Sequence, residues 1–389
     1  MTAFCSLRAG AADLAAQARA LVGADQGVYV EAEDGTVLVA QAAERAVHPA
    51  SVSKVPTTLA LLRKLGADYR FATRVSASGP LQGGVLQGDL VVEGSGDPFF
   101  VDENALLVLL GLHDQGLHRV TGNVATHGPF LFNWTSAGAQ ARLQQALAGR
   151  IPAATWSAVR AAEAARNDIP SKQPALAFGN AKVAGGAAPT LLVTHRSQPL
   201  VPLVKALNDY SNNIFADFAG AAGGIAAVQA IARESVPATM RDEIVLGDGA
   251  GANPRNRLSP RAAVALLRAL CDELAKSNHS LADVLPVAGI DEGTLRHRID
   301  GPNERGHLVG KTGTYADYGA SALAGALRTR DRGVVYFAIL NHNVPTEVAR
   351  KRQDAFARAL LAAEDTEAWP YQRDDAPAFT RAEVVRAKP

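Results

Sequence analysis

Ser51 and Lys54 stand three residues apart in the stretch His48-Pro49-Ala50-Ser51-Val52-Ser53-Lys54. If a helix opens at Ser51, its hydroxyl sits at the positive helix end and the lysine amine lies one turn later on the same face. A serine hydroxyl is a weak nucleophile near neutral pH. A lysine takes its proton only where burial or nearby cations lower the ammonium pKa. The residues that follow supply burial: Val52, Val55, Leu59 and Leu62 recur at helical spacing, and Ala60, Leu61 and Leu65 cover the other sides. The pattern predicts a buried central helix ended by Gly66, with nucleophilic chemistry at its start. One local rule is broken, because Pro56 falls inside that helix without a hydrogen to donate. Taken alone, the same spacing also describes an N-cap serine followed by a solvated lysine.

Two further stretches look like partners. Tyr210-Ser211-Asn212-Asn213 precedes the apolar, alanine-rich residues 214–222, and Lys311-Thr312-Gly313-Thr314 lies in a strand-like region. Ser-x-x-Lys, a Ser-Asp-Asn-type element and Lys-Thr-Gly, in that chain order, form the set used by penicillin-binding proteins and related β-lactamases. The register of the middle element is open: Tyr210-x-Asn212 fits one branch of that superfamily, and Ser211-x-Asn213 followed by Ala216-Asp217 fits another and is preferred. Tyr210 is then expected to be a packing residue.

On these residues the sequence resembles the D-alanyl-D-alanine carboxypeptidase/endopeptidase group of low-molecular-mass class C penicillin-binding proteins, peptidase family S13. The likeness extends to Gly88-Asp89-Leu90-Val91-Val92-Glu93-Gly94-Ser95-Gly96-Asp97-Pro98, to Leu246-Gly247-Asp248-Gly249 running on to Leu258-Ser259-Pro260, and to Leu285-Pro286-Val287-Ala288-Gly289 with Gly293-Thr294-Leu295. Ala250 departs from the serine usual in the Asp-Gly loop and lies outside the expected chemistry. The landmarks run from about residue 49 to 341, with the middle poorly matched.

The resemblance implies an α/β transpeptidase fold shared with serine β-lactamases: an antiparallel sheet built from both chain ends, flanked by helices, with one inserted domain. It implies a serine DD-peptidase acting on peptidoglycan stem peptides or their cross-links, and acylated by β-lactams, without metal or organic cofactor. Ser51 would attack the carbonyl of the penultimate D-alanine, and Lys54 is the leading candidate for its base. The backbone N–H groups of Ser51 and Thr314 would form the oxyanion hole. Ser211 would pass a proton to the leaving amine, Asn213 would hold the substrate amide or Lys54, and Lys311 would bias the field and orient Ser211. Thr312, Gly313 and Thr314 would bind substrate, the two hydroxyls suiting a free carboxylate. The resemblance also implies a periplasmic or other extracytoplasmic location. The first residues lack the basic start and apolar core of a secretory leader, so a mature or truncated form is expected. A β-lactamase on the same scaffold and a non-catalytic wall-binding or regulatory relative are the rival readings.

The 389 residues are 48% hydrophobic and 20% charged with a net charge of +1, which describes an ordinary globular chain of two or more domains. That charge gives no reason to expect a nucleic-acid partner, and no apolar run is long enough for a transmembrane segment. Cys5 and Cys271 allow one disulfide at most, and two unpaired thiols are expected. The histidines show no His-Glu-x-x-His spacing and read as structural, His48 included. Gly94 to Pro98 reads as a turn rather than a phosphate loop, and Glu163 with Asn167 as a chance match to a deacylating pair. Arg296, Arg298, Arg305 and His307 read as a solvated basic face.

The positioning elements follow from periodicity. Residues 7–22 read as an amphipathic helix, and residues 27–33 and 36–40 as strands of a hairpin turned by Asp34-Gly35. Residues 307–314, 320–329 and 333–341 read as strands and 348–363 as a closing helix. Between them, residues 137–165 are alanine-rich and helical, Gly185-Gly186 turns the chain, and 190–194 form a strand. The expected division is 1–69 with 196–389 as the peptidase domain, and 70–195 as the inserted domain.

Overall fold

The computed structural model describes residues 13–166, 169–179 and 188–387. Expectations for Cys5, the start of the first helix, Asn167 and the Gly185-Gly186 turn lie outside these residues. The chain divides into two compact units, 1–67 with 200–374 and 68–199 with 375–389. The expected boundary is corrected at the C-terminus. Residues 375–389 belong to the second unit, because Glu383–Arg386 pairs antiparallel with Thr190–Arg196.

The first unit is built on an antiparallel sheet in the order Leu308–Tyr315, Ala320–Thr329, Gly333–Asn341, Gly27–Ala32, Val37–Gln41, with Thr366–Glu367 added beside Ala320–Thr329. Both ends of the chain therefore share one sheet, as the sequence predicts. The Asp34-Gly35 hairpin forms: Gly35 has φ +86°, and Thr36 N–H donates to Asp34 Oδ1 at 2.8 Å. Val28, Val30, Leu323, Phe337 and Ile339 on the sheet pack with Phe356 and Leu360 of the closing helix Thr346–Ala363 into one buried cluster. The helix Pro260–Ala275 packs against the sheet strands and against the helix that follows Ser51.

That last helix begins later than predicted. Ala50–Ser53 forms one 3₁₀ turn and the α-helix runs Lys54–Leu65, ended by Gly66 at φ +87°. The late start removes the difficulty with Pro56. It occupies the first α-helical turn, where backbone N–H groups have few intrahelical acceptors to lose.

The second unit has a five-stranded sheet in the order Glu383–Arg386, Thr190–Arg196, Ala72–Ala77, Leu90–Glu93, Val124–His127, only the last pair being parallel. Leu106, Leu109 and Leu110 of the helix Asp102–Asp114 pack with Val75, Val92 and Val193 of the sheet into its core. The alanine-rich stretch is two helices, Ala139–Leu147 and Ala153–Ala162, broken where Gly149 takes φ +84° and Pro152 follows. Among the described residues no single helix is long and apolar enough to cross a membrane.

Candidate active site

The residues ahead of the serine helix are held in a strained conformation. Ala50 has φ +47°, a left-handed backbone that costs an alanine on the order of 1–2 kcal/mol. Two glycines make room for it. A Cβ on Gly251 would stand 1.9 Å from Ala50 O, and one on Gly313 would stand 2.8 Å from Pro49 O and 3.0 Å from Ser51 N. The strand carrying Lys311, Thr312 and Gly313 therefore lies directly beside the Ser51 amide. His48 fixes the turn from the other side. Its Nδ1 accepts from Ala50 N–H at 3.1 Å, so the ring proton sits on Nε2 and donates to Asn253 O at 3.0 Å. Burial lowers the His48 pKa, which favours this neutral form.

A loop the sequence marked only as a family landmark holds the serine turn in place. Asp248 Oδ1 accepts from the N–H groups of Ala250, Gly251 and Ala252, curling the loop. The buried Asn256 side chain ties that loop to the serine turn, its Nδ2 donating to Ser53 Oγ at 3.0 Å and its Oδ1 accepting from Gly247 N–H. Thr57 Oγ1 donates to Gly249 O at 2.9 Å.

Lys54 is fully buried at the centre of this arrangement. Its Nζ lies 2.7 Å from Ala250 O, 3.2 Å from Asn213 Oδ1 and 2.8 Å from Ser51 Oγ. The first two partners can only accept, whereas a serine hydroxyl can also donate. A neutral amine has two hydrogens and one lone pair, which matches two acceptors and one donor. Loss of solvent lowers Lys54 to about 7, against the opposing field of Asp248. The carbonyl of Ala250 thus takes part in the site, which the departure at its side chain had suggested it would not.

Lys311 is also fully buried and donates to Thr312 O at 2.9 Å. Burial first, and then the charge of Lys54, hold its pKa well below the ordinary value, with Asp209 opposing. Among the described residues its hydrogen bond does not go to Ser211, which the resemblance had it orienting.

Ser51, Ser211, Asn213, Thr312 and Thr314 line one groove of about 600 Å³. Ser211 has φ +54°, and the loop bearing it is pinned from behind where Thr294 N–H donates to Asp209 O at 2.9 Å. A Cβ on Gly293 would stand 2.1 Å from the same carbonyl. Leu308–Tyr315 is the edge strand of its sheet. Pro286 to Ala288 bonds to Leu308 and Gly310 and covers its first half, leaving the edge beyond Gly310 beside the groove. An exposed strand edge is a ready receptor for an extended peptide.

Two side-chain expectations are corrected. Tyr210 is 63% exposed, so it is not a packing residue. The basic cluster is not simply solvated: Arg298 donates to Asp354 Oδ1 at 2.9 and 2.6 Å and Arg296 to Ile290 O at 2.8 Å, bonds that tie segments together. Among the described residues no cluster of metal-ligating side chains is present. Arg350 also lines the groove, donating to Thr314 Oγ1 at 3.1 Å. Sequence reasoning missed it, since an arginine in an ordinary amphipathic helix carries no motif.

A mixed α/β fold with an antiparallel sheet from both chain ends, and a serine beside a buried lysine at the edge strand, defines a penicillin-binding-type peptidase. The chain belongs to the D-Ala-D-Ala carboxypeptidase 3 (S13) family, whose model matches residues 7–131 and 174–363. It is 28% identical to Carboxypeptidase DacB of Mycolicibacterium smegmatis, over 89% of this chain and 82% of that protein. Its fold is similar to that of a predatory endopeptidase from Bdellovibrio bacteriovorus, solved in complex with an immunity protein. That match has a TM-score of 0.76 at 24% identity, over 92% of this chain and 99% of the other. Penicillin binding protein 4 of Haemophilus influenzae aligns with a TM-score of 0.61 at 18% identity, over 90% and 99% of the two chains.

Proposed function

We propose that the protein is a serine DD-peptidase that cleaves the bond after the penultimate D-alanine of peptidoglycan stem peptides. It acts as a DD-carboxypeptidase, and as a DD-endopeptidase where the leaving residue belongs to a cross-link. The observation that carries the reading is the Lys54 amine, fully buried, lowered to about 7 and 2.8 Å from Ser51 Oγ. At neutral pH a large fraction of this lysine is uncharged. It accepts the Ser51 proton as Oγ bonds to the substrate carbonyl carbon.

The developing oxyanion is received by the Ser51 and Thr314 N–H groups, a role supported by the close approach of Gly313 to Ser51 N. The proton passes to the leaving nitrogen by way of Lys54 and Ser211, the C–N bond breaks, and the free amine departs. Water then adds to the Ser51 ester, and collapse of that intermediate restores the hydroxyl. Asn213 holds Lys54 in place through Oδ1, and Lys311 braces the edge strand by donating to Thr312 O. Thr312, Gly313 and Thr314 present the strand edge and two hydroxyls to the substrate. β-Lactams would acylate the same serine. Such substrates place the protein in the periplasm or another extracytoplasmic space.

The test is release of free D-alanine from a peptide ending in D-Ala-D-Ala, by the wild type and by Ser51→Ala. Release by the wild type alone supports the reading. No release by either protein, with benzylpenicillin rapidly destroyed by the wild type, would replace it with a β-lactamase. Inactivity towards both substrates would favour a non-catalytic relative.

A further inference from the structure

We propose that His48 is a positioning residue whose unprotonated Nδ1 locks Ala50 in the left-handed conformation that aims Ser51. A proton at that atom undoes the lock. This inference rests on the serine-peptidase reading and adds to it a residue that sets the acylation rate without touching substrate.

The bond from Ala50 N–H to His48 Nδ1 at 3.1 Å spans two residues, the same reach by which an Asn or Asp side chain closes a turn on its own backbone. It falls on the peptide directly before Ser51, where Ala50 has φ +47°. An alanine gains nothing by itself from a left-handed backbone, so its surroundings must hold it there. Ala50 is fully buried, with Gly251 packed on its carbonyl and Gly313 against its methyl and Ser51 N. With so little room, a shift of the Ala50 peptide passes directly to the Ser51 hydroxyl and N–H.

The ring is held on two further sides. Nε2 donates to Asn253 O at 3.0 Å, in the loop that Asp248 curls. Tyr315 and Tyr318 lie against the ring with centroids 4.7 and 5.7 Å away, and stack on each other at 4.9 Å. Tyr315 follows Thr314 at the end of the edge strand. One imidazole therefore touches the serine turn, the Asp248 loop and the strand end beside the second proposed oxyanion donor. A proton on Nδ1 would set two hydrogens against each other along the Ala50 bond. Loss of solvent, the largest influence, lowers the His48 pKa; the bond to Asn253 O raises it, Arg257 lowers it and Asp248 raises it. With the two tyrosines, Arg257 and Asp248 are the titratable and charged groups described around the ring.

The experiment compares benzylpenicillin acylation rates of wild type, His48→Asn and His48→Phe at matched folded fraction. Asn keeps a short acceptor for Ala50 N–H and cannot gain a proton, but loses the ring. Phe keeps a ring beside the tyrosines and loses the acceptor. At about pH 8, His48→Phe should be acylated about 10- to 100-fold more slowly than wild type, and His48→Asn within about threefold of it. A ring that only filled space would give the reverse order or equal losses, and either result overturns the proposal. The wild type and His48→Asn share the Lys54 response to pH, so it cancels in their ratio. The ratio of wild type to His48→Asn should be level above pH 6.5 and fall as pH drops below it. A ratio level down to acid unfolding overturns the proposal. Should a variant melt early, the ring nitrogen shifts of wild-type His48 replace it: Nε2–H with a bare Nδ1 is expected, and the opposite tautomer overturns the proposal. A wild type that takes up no benzylpenicillin and releases no D-alanine would remove the serine-peptidase reading itself. An active, acylated wild type with His48→Phe unimpaired removes only the role given to His48.

Discussion

A buried set of ionisable groups in the first unit and one in the second have different fates. In the first unit Lys54 has lost its water but has three polar partners, and its neighbour Ser51 lines a groove. In the second unit Asp97 and His195 are buried with Asp97 Oδ2 3.9 Å from His195 Nδ1 and neither atom hydrogen-bonded. Asn104 Nδ2 donates to His195 Nε2 at 2.9 Å, which puts the ring hydrogen on Nδ1, facing Asp97. Burial raises Asp97 to about 7 and lowers His195 to about 3. Both pairs have displaced ionisation, and a displaced pKa alone would mark both as functional. What separates them is access: of the two, only the lysine hydrogen-bonds a residue that lines a groove.

The largest effects that test this contrast fall on the serine site. Ser51→Ala and Lys54→Ala should each lower D-alanine release about a thousandfold or more, while Asp97→Asn should leave it within about twofold at pH 7. Comparable loss from Asp97→Asn would break the distinction. Next in size is Gly251→Ala, whose new methyl has no space beside Ala50 O. Displacing Ser51 by a fraction of an ångström to an ångström should slow acylation on the order of a hundredfold, read as the benzylpenicillin acylation rate at matched folded fraction. The third is a pH profile. Lys54 is lowered to about 7, so with the proposed role as neutral base the acylation rate should fall as pH drops through 7 and approach about tenfold per unit below it. A profile flat down to pH 5 would contradict the assignment.

The smallest effect concerns stability in the second unit. Asp97 is raised from 3.8, so its neutral form contributes stability at low pH that is lost as pH climbs toward about 7. His195 is lowered from 6.5, so its contribution is complete above that value and is lost as pH falls toward about 3. Between pH 3.8 and 6.5 the two slopes oppose each other and largely cancel. Asp97→Asn removes one of them. Urea unfolding of that variant should show stability dropping on acidification through this window by about 1 kcal/mol per pH unit, where the wild type stays nearly level.

Much of the site was legible because its parts are local in sequence. Ser51 with Lys54, Ser211 with Asn213, and Lys311 to Thr314 are each short stretches whose order is informative. The Asp34-Gly35 hairpin and the strand at 333–341 were readable for the same reason, through turn chemistry and an unbroken apolar run. What escaped depends on contacts between distant residues. Gly251 is one glycine among 35 until Ala50 is seen against it. Ala250 matters through a backbone carbonyl, which its side-chain identity does not announce. The rule that Pro56 seemed to break vanished once a 3₁₀ turn moved the helix start by three residues. Glu383–Arg386 is too short and too charged to declare a strand, and only its pairing with Thr190–Arg196 shows which unit it joins.

The most direct measurement is the intact mass of the protein after brief exposure to benzylpenicillin, followed by proteolysis to locate the adduct. One covalent adduct is expected, carried by the peptide that contains Ser51, absent from Ser51→Ala and formed more slowly below pH 7. An adduct on any other residue, or one that persists in Ser51→Ala, would contradict it.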